Sequence, residues 1–244
     1  MSKLRQRILA RYRRLYADID TPAILDMGHY FPAHAALAAL AAQTGALRDE
    51  ALRVLGDNPN IPRFHDITTT QTRISAEDGK NWRLFVVKSY GHVIRANAAQ
   101  MPVLAGFLAG HREVTSAMIS YLDPGKHIPR HRGPFRGILR YHLCLLAPAG
   151  GTDTGPWLEV DGQRVPYREG QGLLWDDTFP HEVLNPGDHA RIAILLDIRR
   201  PVTRLRQRAL FRVVMAGGRL ASMALEGRMR VTPRPRPPKS LNRE

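Results

Sequence analysis

With 244 residues, 43% of them hydrophobic, and a single cysteine, the chain can bury a sizeable core and is not a disulfide-stapled scaffold. No apolar run approaches the ~20 residues that span a bilayer, so no transmembrane helix is expected. The formal charge of +14 sits at the ends: residues 1–20 carry net +4 and residues 201–244 net +9, leaving the body between them nearly neutral.

In chain order, residues 1–16 read as a short basic helix with Leu4, Ile8 and Leu15 roughly on one side. The apolar h-region and cleavage site of a signal peptide are missing there, so a cytoplasmic location is expected, with peripheral attachment at the cytoplasmic membrane face as the variant the basic ends suggest. Residues 32–55 are Ala- and Leu-rich helix material opened by Pro32. A loop follows over 56–62, then a strand over 81–90, a short helix from Pro102 and a strand over 114–122. In the strand over 137–146, Ile138, Arg140, His142 and Cys144 share one face, while Leu139, Tyr141, Leu143 and Leu145 share the other. Asp161-Gly162 marks a two-residue hairpin. Strands at this spacing, broken by Gly and Pro turns, suggest an all-β barrel or jelly roll. After Pro201 a helix is expected with Val202, Leu205, Ala209 and Val213 on one side and Arg204, Arg208 and Arg212 alongside. A break at Gly217-Gly218 and a second short helix to about Arg230 are expected next, then a basic, Pro-rich tail.

The chemistry concentrates between Ser120 and Arg191. An Arg and a His on one face of an apolar strand need a reason, since burying an unpaired cation costs several kcal/mol. An anionic ligand inside a barrel supplies one. His131 and His181, widely separated, together with the strand-borne Arg140 and Arg191, suggest a metal site with a carboxylate cosubstrate beside it. His127 lies four residues before His131, but Pro129 between them argues against a shared helical face, so His127 reads as a turn or entry-loop residue. Cys144 reads as core filler.

The order His131, Arg140 nine residues on, His142-Leu143, then DDTFPHEV ending past His181, Arg191 and a closing DIRRP resembles the aspartyl/asparaginyl β-hydroxylase family, Fe(II)- and 2-oxoglutarate-dependent oxygenases, and the lipid A hydroxylases that share its domain. The resemblance covers roughly residues 80–201. It implies a mainly β fold with flanking helices and a double-stranded β-helix (jelly roll, cupin-like) core over 80–201, a helical region over 1–79, and a basic helical segment and tail over 202–244. It also implies His131 and His181 as iron ligands, Arg191 and Ser120 on the distal carboxylate of 2-oxoglutarate, and Arg140 and His142 on the carboxylate next to the metal, with O₂ as the other cosubstrate. The commoner oxygenase pattern is His-x-Asp, but Gly133 stands two residues after His131, as in the branch that uses a two-histidine site. Asp176 or Asp177 as a third ligand is the alternative to a role in orienting an imidazole. Trp82 and Lys88 are candidates to approach substrate, with packing as the other reading of Trp82.

The resulting expectation is hydroxylation of an unactivated C–H bond. Gly133 points to an aspartyl or asparaginyl residue as substrate, and the basic flanks to an acyl chain of a lipid A-like glycolipid at the inner membrane surface. A non-catalytic cupin-like binding module is the rival from another class. The segment after Pro201 reads either as a helix packed on the barrel with a solvated tail or as a basic amphipathic segment docking on an anionic membrane surface. Nucleic acid is not expected as a partner, because no aromatic interleaving accompanies the basic runs.

Overall fold

The computed structural model describes residues 14–26, 34–67, 75, 78–148, 150 and 154–233. Eleven strands lie in two antiparallel sheets among the described residues. The larger contains β1 (Ile24–Leu25), β2 (Trp82–Ser89), β3 (His92–Val93), β4 (Val114–Leu122), β6 (Ile138–Leu146), β9 (Gly172–Trp175) and β11 (Arg191–Arg199). The smaller contains β5 (His127–His131), β7 (Trp157–Val160), β8 (Gln163–Pro166) and β10 (His181–Leu184). From β4 onward the chain passes from one sheet to the other at each step, except for the β7–β8 hairpin, giving the orders β1-β9-β6-β11-β4-β2-β3 and β5-β10-β7-β8. That is the winding of a double-stranded β-helix, as expected. The hairpin turns at Asp161 (φ 50°) and Gly162 (φ 82°), the left-handed pair a tight two-residue turn requires.

Central strand β11 pairs with both β4 and β6, is buried on both faces and is accordingly a near-continuous apolar run. On β6 the expected alternation holds. Leu139, Tyr141, Leu143 and Leu145 join a core shared with helices α1 (His34–Ala41), α2 (Thr44–Asp57) and a later helix, Pro102–Gly110. The opposite face looks into the space between the sheets, where Trp82, Leu84, Ile128, Leu158, Trp175 and Val183 form a second cluster.

Two helical expectations are corrected. The helix foreseen over 32–55 is two helices, because Thr44 Oγ1 donates to the Ala41 carbonyl (2.6 Å) and the chain turns at Ala42–Gln43 before restarting. The break foreseen at Gly217-Gly218 is absent: one helix runs unbroken over Leu205–Ala224, followed by a short turn of helix, Glu226–Met229. Glycine weakens a helix by only about 1 kcal/mol, and at Gly218 it is required, since a Cβ there would overlap the ring of Tyr90. On this helix the side with Leu205, Ala209 and Val213 faces solvent, while Gln207 and Ser222 are its buried positions. The basic helix expected over 1–16 lies, apart from its last residues, outside the described residues, as does the tail over 234–244.

Candidate active site

The antiparallel register of the smaller sheet sets His131, at the end of β5, directly opposite His181, at the start of β10. Their rings stand 4.1 Å apart, centroid to centroid. Each follows the same local construction. His131 Nδ1–H donates to the carbonyl of Pro129 (2.8 Å) and His181 Nδ1–H to that of Phe179 (2.9 Å). A carbonyl can only accept, so both rings carry their proton on Nδ1 and present a bare Nε2, the tautomer a metal ligand needs. Burial holds both imidazoles below their ordinary pKa. For His181, where the neighbouring His131 adds to the effect, the value falls to about 3. The pair is neutral at physiological pH.

Across the interior, the guanidinium of Arg191 is buried, lies over the Tyr167 ring (4.5 Å) and has no carboxylate beside it among the described residues. Its Nη1 donates to Ser120 Oγ (3.3 Å), and Trp82 Nε1–H donates to the same oxygen (3.0 Å). A hydroxyl has two acceptor sites and one donor. With both acceptor sites engaged, the Ser120 proton is left for a further acceptor beside Arg191. His142 binds the Tyr167 hydroxyl through Nδ1 (2.8 Å) and is held well below its ordinary pKa by burial, with Arg191, Arg140 and His181 adding to this. Trp175 meets both His142 and His181 edge to face, at 5.2 and 4.6 Å.

Four buried polar atoms here have no hydrogen-bond partner among the described residues: Arg191 Nε, His142 Nε2, Trp175 Nε1 and Asp177 Oδ1. Unmet groups of this kind cost about 1–3 kcal/mol each. A buried guanidinium with a free Nε, accompanied by the free ring nitrogens of Trp175 and His142, fits an anion with several acceptor oxygens, and the paired Nε2 atoms fit a metal beside it.

The structure thus brings Ser120, Arg191, His142, His131 and His181 toward one interior. Arg140 shares that face but is engaged: Nε donates to Asp197 (3.0 Å) and Nη2 lies 3.3 Å from Asp177. Asp176 has both carboxylate oxygens engaged, by Arg200, Arg136 (3.2 Å) and Thr178 (2.6 and 3.0 Å). Asp177 explains Gly133. The Gly133 N–H donates to the Asp177 carbonyl (2.6 Å), and a Cβ at 133 would overlap the Asp177 carboxylate. An aspartate at 133 has no room. Among the described residues no three His, Cys, Asp or Glu side chains come together as a metal set, and His131 and His181 stand as a pair. His127 pairs with Glu182 at the surface (3.0 Å). Lys88 is buried, with Glu113 the carboxylate that bears on it, and Cys144 is buried. Tyr167, Trp175 and Asp197 belong to the site although no spacing in the sequence singles them out.

The model of the family described as aspartyl/asparaginyl beta-hydroxylase matches residues 41–201. The chain is 31% identical over 187 residues to an ornithine lipid ester-linked acyl 2-hydroxylase of Rhizobium tropici, covering 77% of this chain and 64% of that one. It is 30% identical over 156 residues to aspartate beta-hydroxylase domain-containing protein 2 of Mus musculus, covering 60% and 44%. The chain therefore spans less than two thirds of the length of either relative. Among solved structures, a Pseudomonas putida prolyl-4-hydroxylase aligns at a TM-score of 0.43 and 17% identity, covering 80% of this chain and all of that one.

Proposed function

The chain belongs to the aspartyl/asparaginyl β-hydroxylase family, and on that premise we propose that it is an Fe(II)- and 2-oxoglutarate-dependent dioxygenase that hydroxylates an unactivated C–H bond. The observation that carries this reading is the pair of Nε2-free imidazoles beside a buried arginine that lacks a carboxylate. When bound, iron and 2-oxoglutarate would supply the oxidising power, drawing on O₂ and releasing succinate and CO₂.

The chain's own part is binding and orientation. His131 and His181 would hold the metal, their rings fixed by the Pro129 and Phe179 carbonyls. Arg191 and the Ser120 hydroxyl would take the distal carboxylate of 2-oxoglutarate, where a guanidinium fork gives two parallel hydrogen bonds. His142 Nε2 and Arg140 are the groups for the carboxylate nearer the metal. Trp175, packed on both His142 and His181, fixes those two rings relative to each other.

Two substrates compete. Gly133 favours an aspartyl or asparaginyl residue, whereas a relative matched over 77% of this chain is named for an ester-linked acyl chain of a lipid. We take the acyl chain as the reading to test first. Purified protein with Fe(II) and 2-oxoglutarate is offered, separately, an acyl-bearing aminolipid and Asp- or Asn-containing peptides, and succinate is measured. Succinate formed with the lipid, together with a 16-Da gain on its acyl chain, supports the reading; turnover with peptides alone replaces it. His131→Ala and His181→Ala should abolish turnover on either.

A further inference from the structure

The helix Leu205–Ala224, labelled α6 here with Phe64–Ile67 as α3, Arg95–Ala98 as α4 and Pro102–Gly110 as α5, is amphipathic the wrong way round. Its fully buried positions are polar, Gln207 and Ser222. Gln207 donates to the Leu15 carbonyl and to Asp18 (both 3.0 Å), and Ser222 meets Ser89 (2.8 Å). Leu210, Phe211, Val214 and Met215 are half-buried on the same side. Large apolar residues stand on the opposite side: Leu205 is 79% exposed, Val213 64%, Leu220 69% and Met223 52%. At 100° per residue these four fall within about 80° of one another, with the exposed Ala209 and Ala216 between them, forming a stripe along about 30 Å of helix. Packing within the chain does not account for this stripe, because no described residue covers it.

Arginines border it. Arg208, Arg212 and Arg219 run along one edge and Arg206 along the other, and residues 205–224 contain no Asp or Glu. Beside the first half of the helix opens a cavity of about 640 Å³ lined by Tyr16, Arg199, Arg200, Arg208, Phe211 and Arg212. Arg199 and Arg212 have no ion-pair partner among the described residues. An apolar stripe flanked only by cations, with a guanidinium-lined cavity next to it, matches the interface of an anionic bilayer: acyl chains for the stripe, phosphates for the arginines. A second copy of the chain would instead set arginines against arginines.

We propose that the outer face of this helix docks on an anionic lipid bilayer, with the Leu205, Val213, Leu220 and Met223 side chains entering the interface and the flanking arginines contacting headgroup phosphates. The helix is tied to the rim of the site at two points. Phe211 stacks on Phe135, four residues past His131 (6.3 Å), and Gly218 receives the ring of Tyr90, which neighbours Arg140, Asp197 and Asp177. Docking therefore sets the rim of the site beside the membrane surface. Lipid binding is read without turnover, so this proposal stands or falls separately from the reaction assigned above.

The test is flotation of the full chain with vesicles of pure phosphatidylcholine and of phosphatidylcholine containing phosphatidylglycerol. Three proteins are compared: wild type, Leu205→Ser/Val213→Ser/Leu220→Ser, and Arg212→Glu/Arg219→Glu. The substituted side chains are exposed, and among the described residues only that of Arg219 makes a hydrogen bond, to the Gly91 carbonyl at 3.5 Å, so the folds should be retained and circular dichroism checks this. Wild type should float with the anionic vesicles and stay behind with the neutral ones. Each variant should lose at least about tenfold in partitioning, and high salt should release the wild type. Undiminished binding by the serine variant would overturn the proposal, because the basic tail would then act alone. So would wild type that ignores anionic vesicles, or that forms a dimer in sedimentation which the serine variant abolishes.

Discussion

Inside the barrel, Arg191, His142 and Trp175 bury polar atoms that meet no partner among the described residues, whereas along the outer helix Leu205, Val213, Leu220 and Met223 leave apolar side chains in solvent. Both regions forgo stability, since each unmet buried group costs about 1–3 kcal/mol and each exposed large aliphatic forgoes a comparable burial gain of about 1.5–3 kcal/mol. Elsewhere such departures are scattered singly, as at Glu50, Asn58 and Asn185 for buried oxygens and Leu52 and Val93 for exposed aliphatics, while β6 divides its residues between an apolar face and a polar one. Two departures of opposite sign, joined through Phe135 and Tyr90, argue that the interior waits for an anion and the exterior for an apolar surface.

The sharpest way to break the comparison is at Arg191. If its charge is kept for a ligand rather than for folding, Arg191→Met should weaken 2-oxoglutarate binding to metal-loaded protein by on the order of 100-fold in calorimetry. The same change should leave the apoprotein as stable or stabilise it by about 1–4 kcal/mol in denaturant melts, because it removes a buried charge with no counter-ion among the described residues. A variant that unfolds would mean the arginine is structural. Next in size is Gly218→Ala, which should destabilise the chain by about 1–3 kcal/mol by forcing the Tyr90 ring aside. Its neighbour Gly217 has open space where a Cβ would go, so Gly217→Ala should stabilise by about 1 kcal/mol through helix propensity alone. Equal effects at the two positions would deny that the helix is fastened at Tyr90. Ser120→Ala removes a hydroxyl proton left free in the anion cradle and should weaken 2-oxoglutarate binding by about tenfold. The smallest effect is at Cys144, whose thiol burial pushes up to about 11. It should stay unreactive toward a disulfide reagent at pH 8 until the protein is denatured, and rapid reaction would show the interior to be open.

Much of this was legible before any coordinates. The period of two in residues 138–146 separates the face with Arg140 and His142 from the face with Leu139 and Tyr141 without reference to the rest of the chain. Asp161-Gly162 announces its turn because few other pairs accept two left-handed residues in succession. The order from His131 to Arg191 suggests the site through its resemblance to the aspartyl/asparaginyl β-hydroxylase family, and the groups it names come from β5, β6, β10 and β11. Tyr167 and Trp175 escape because they reach the site from a loop and a strand end, where only tertiary packing sets their direction. The glycine pair reads as a break because propensity is local, whereas the close approach of Tyr90 comes from the β2–β3 turn more than 120 residues earlier. The helix pattern shows two unlike sides, but which one faces the barrel is decided by Leu15, Asp18 and Ser89, whose groups satisfy Gln207 and Ser222.

The two-histidine, arginine-anchored site is the centre of this account, and one anaerobic titration addresses it directly. Apoprotein receives Fe(II) and then 2-oxoglutarate while the visible charge-transfer absorption of a keto acid chelated to iron is followed. The account predicts that the band grows in wild type and saturates, and that it is absent in a folded His181→Ala variant. A folded wild-type protein that shows no band with both components in excess would contradict it.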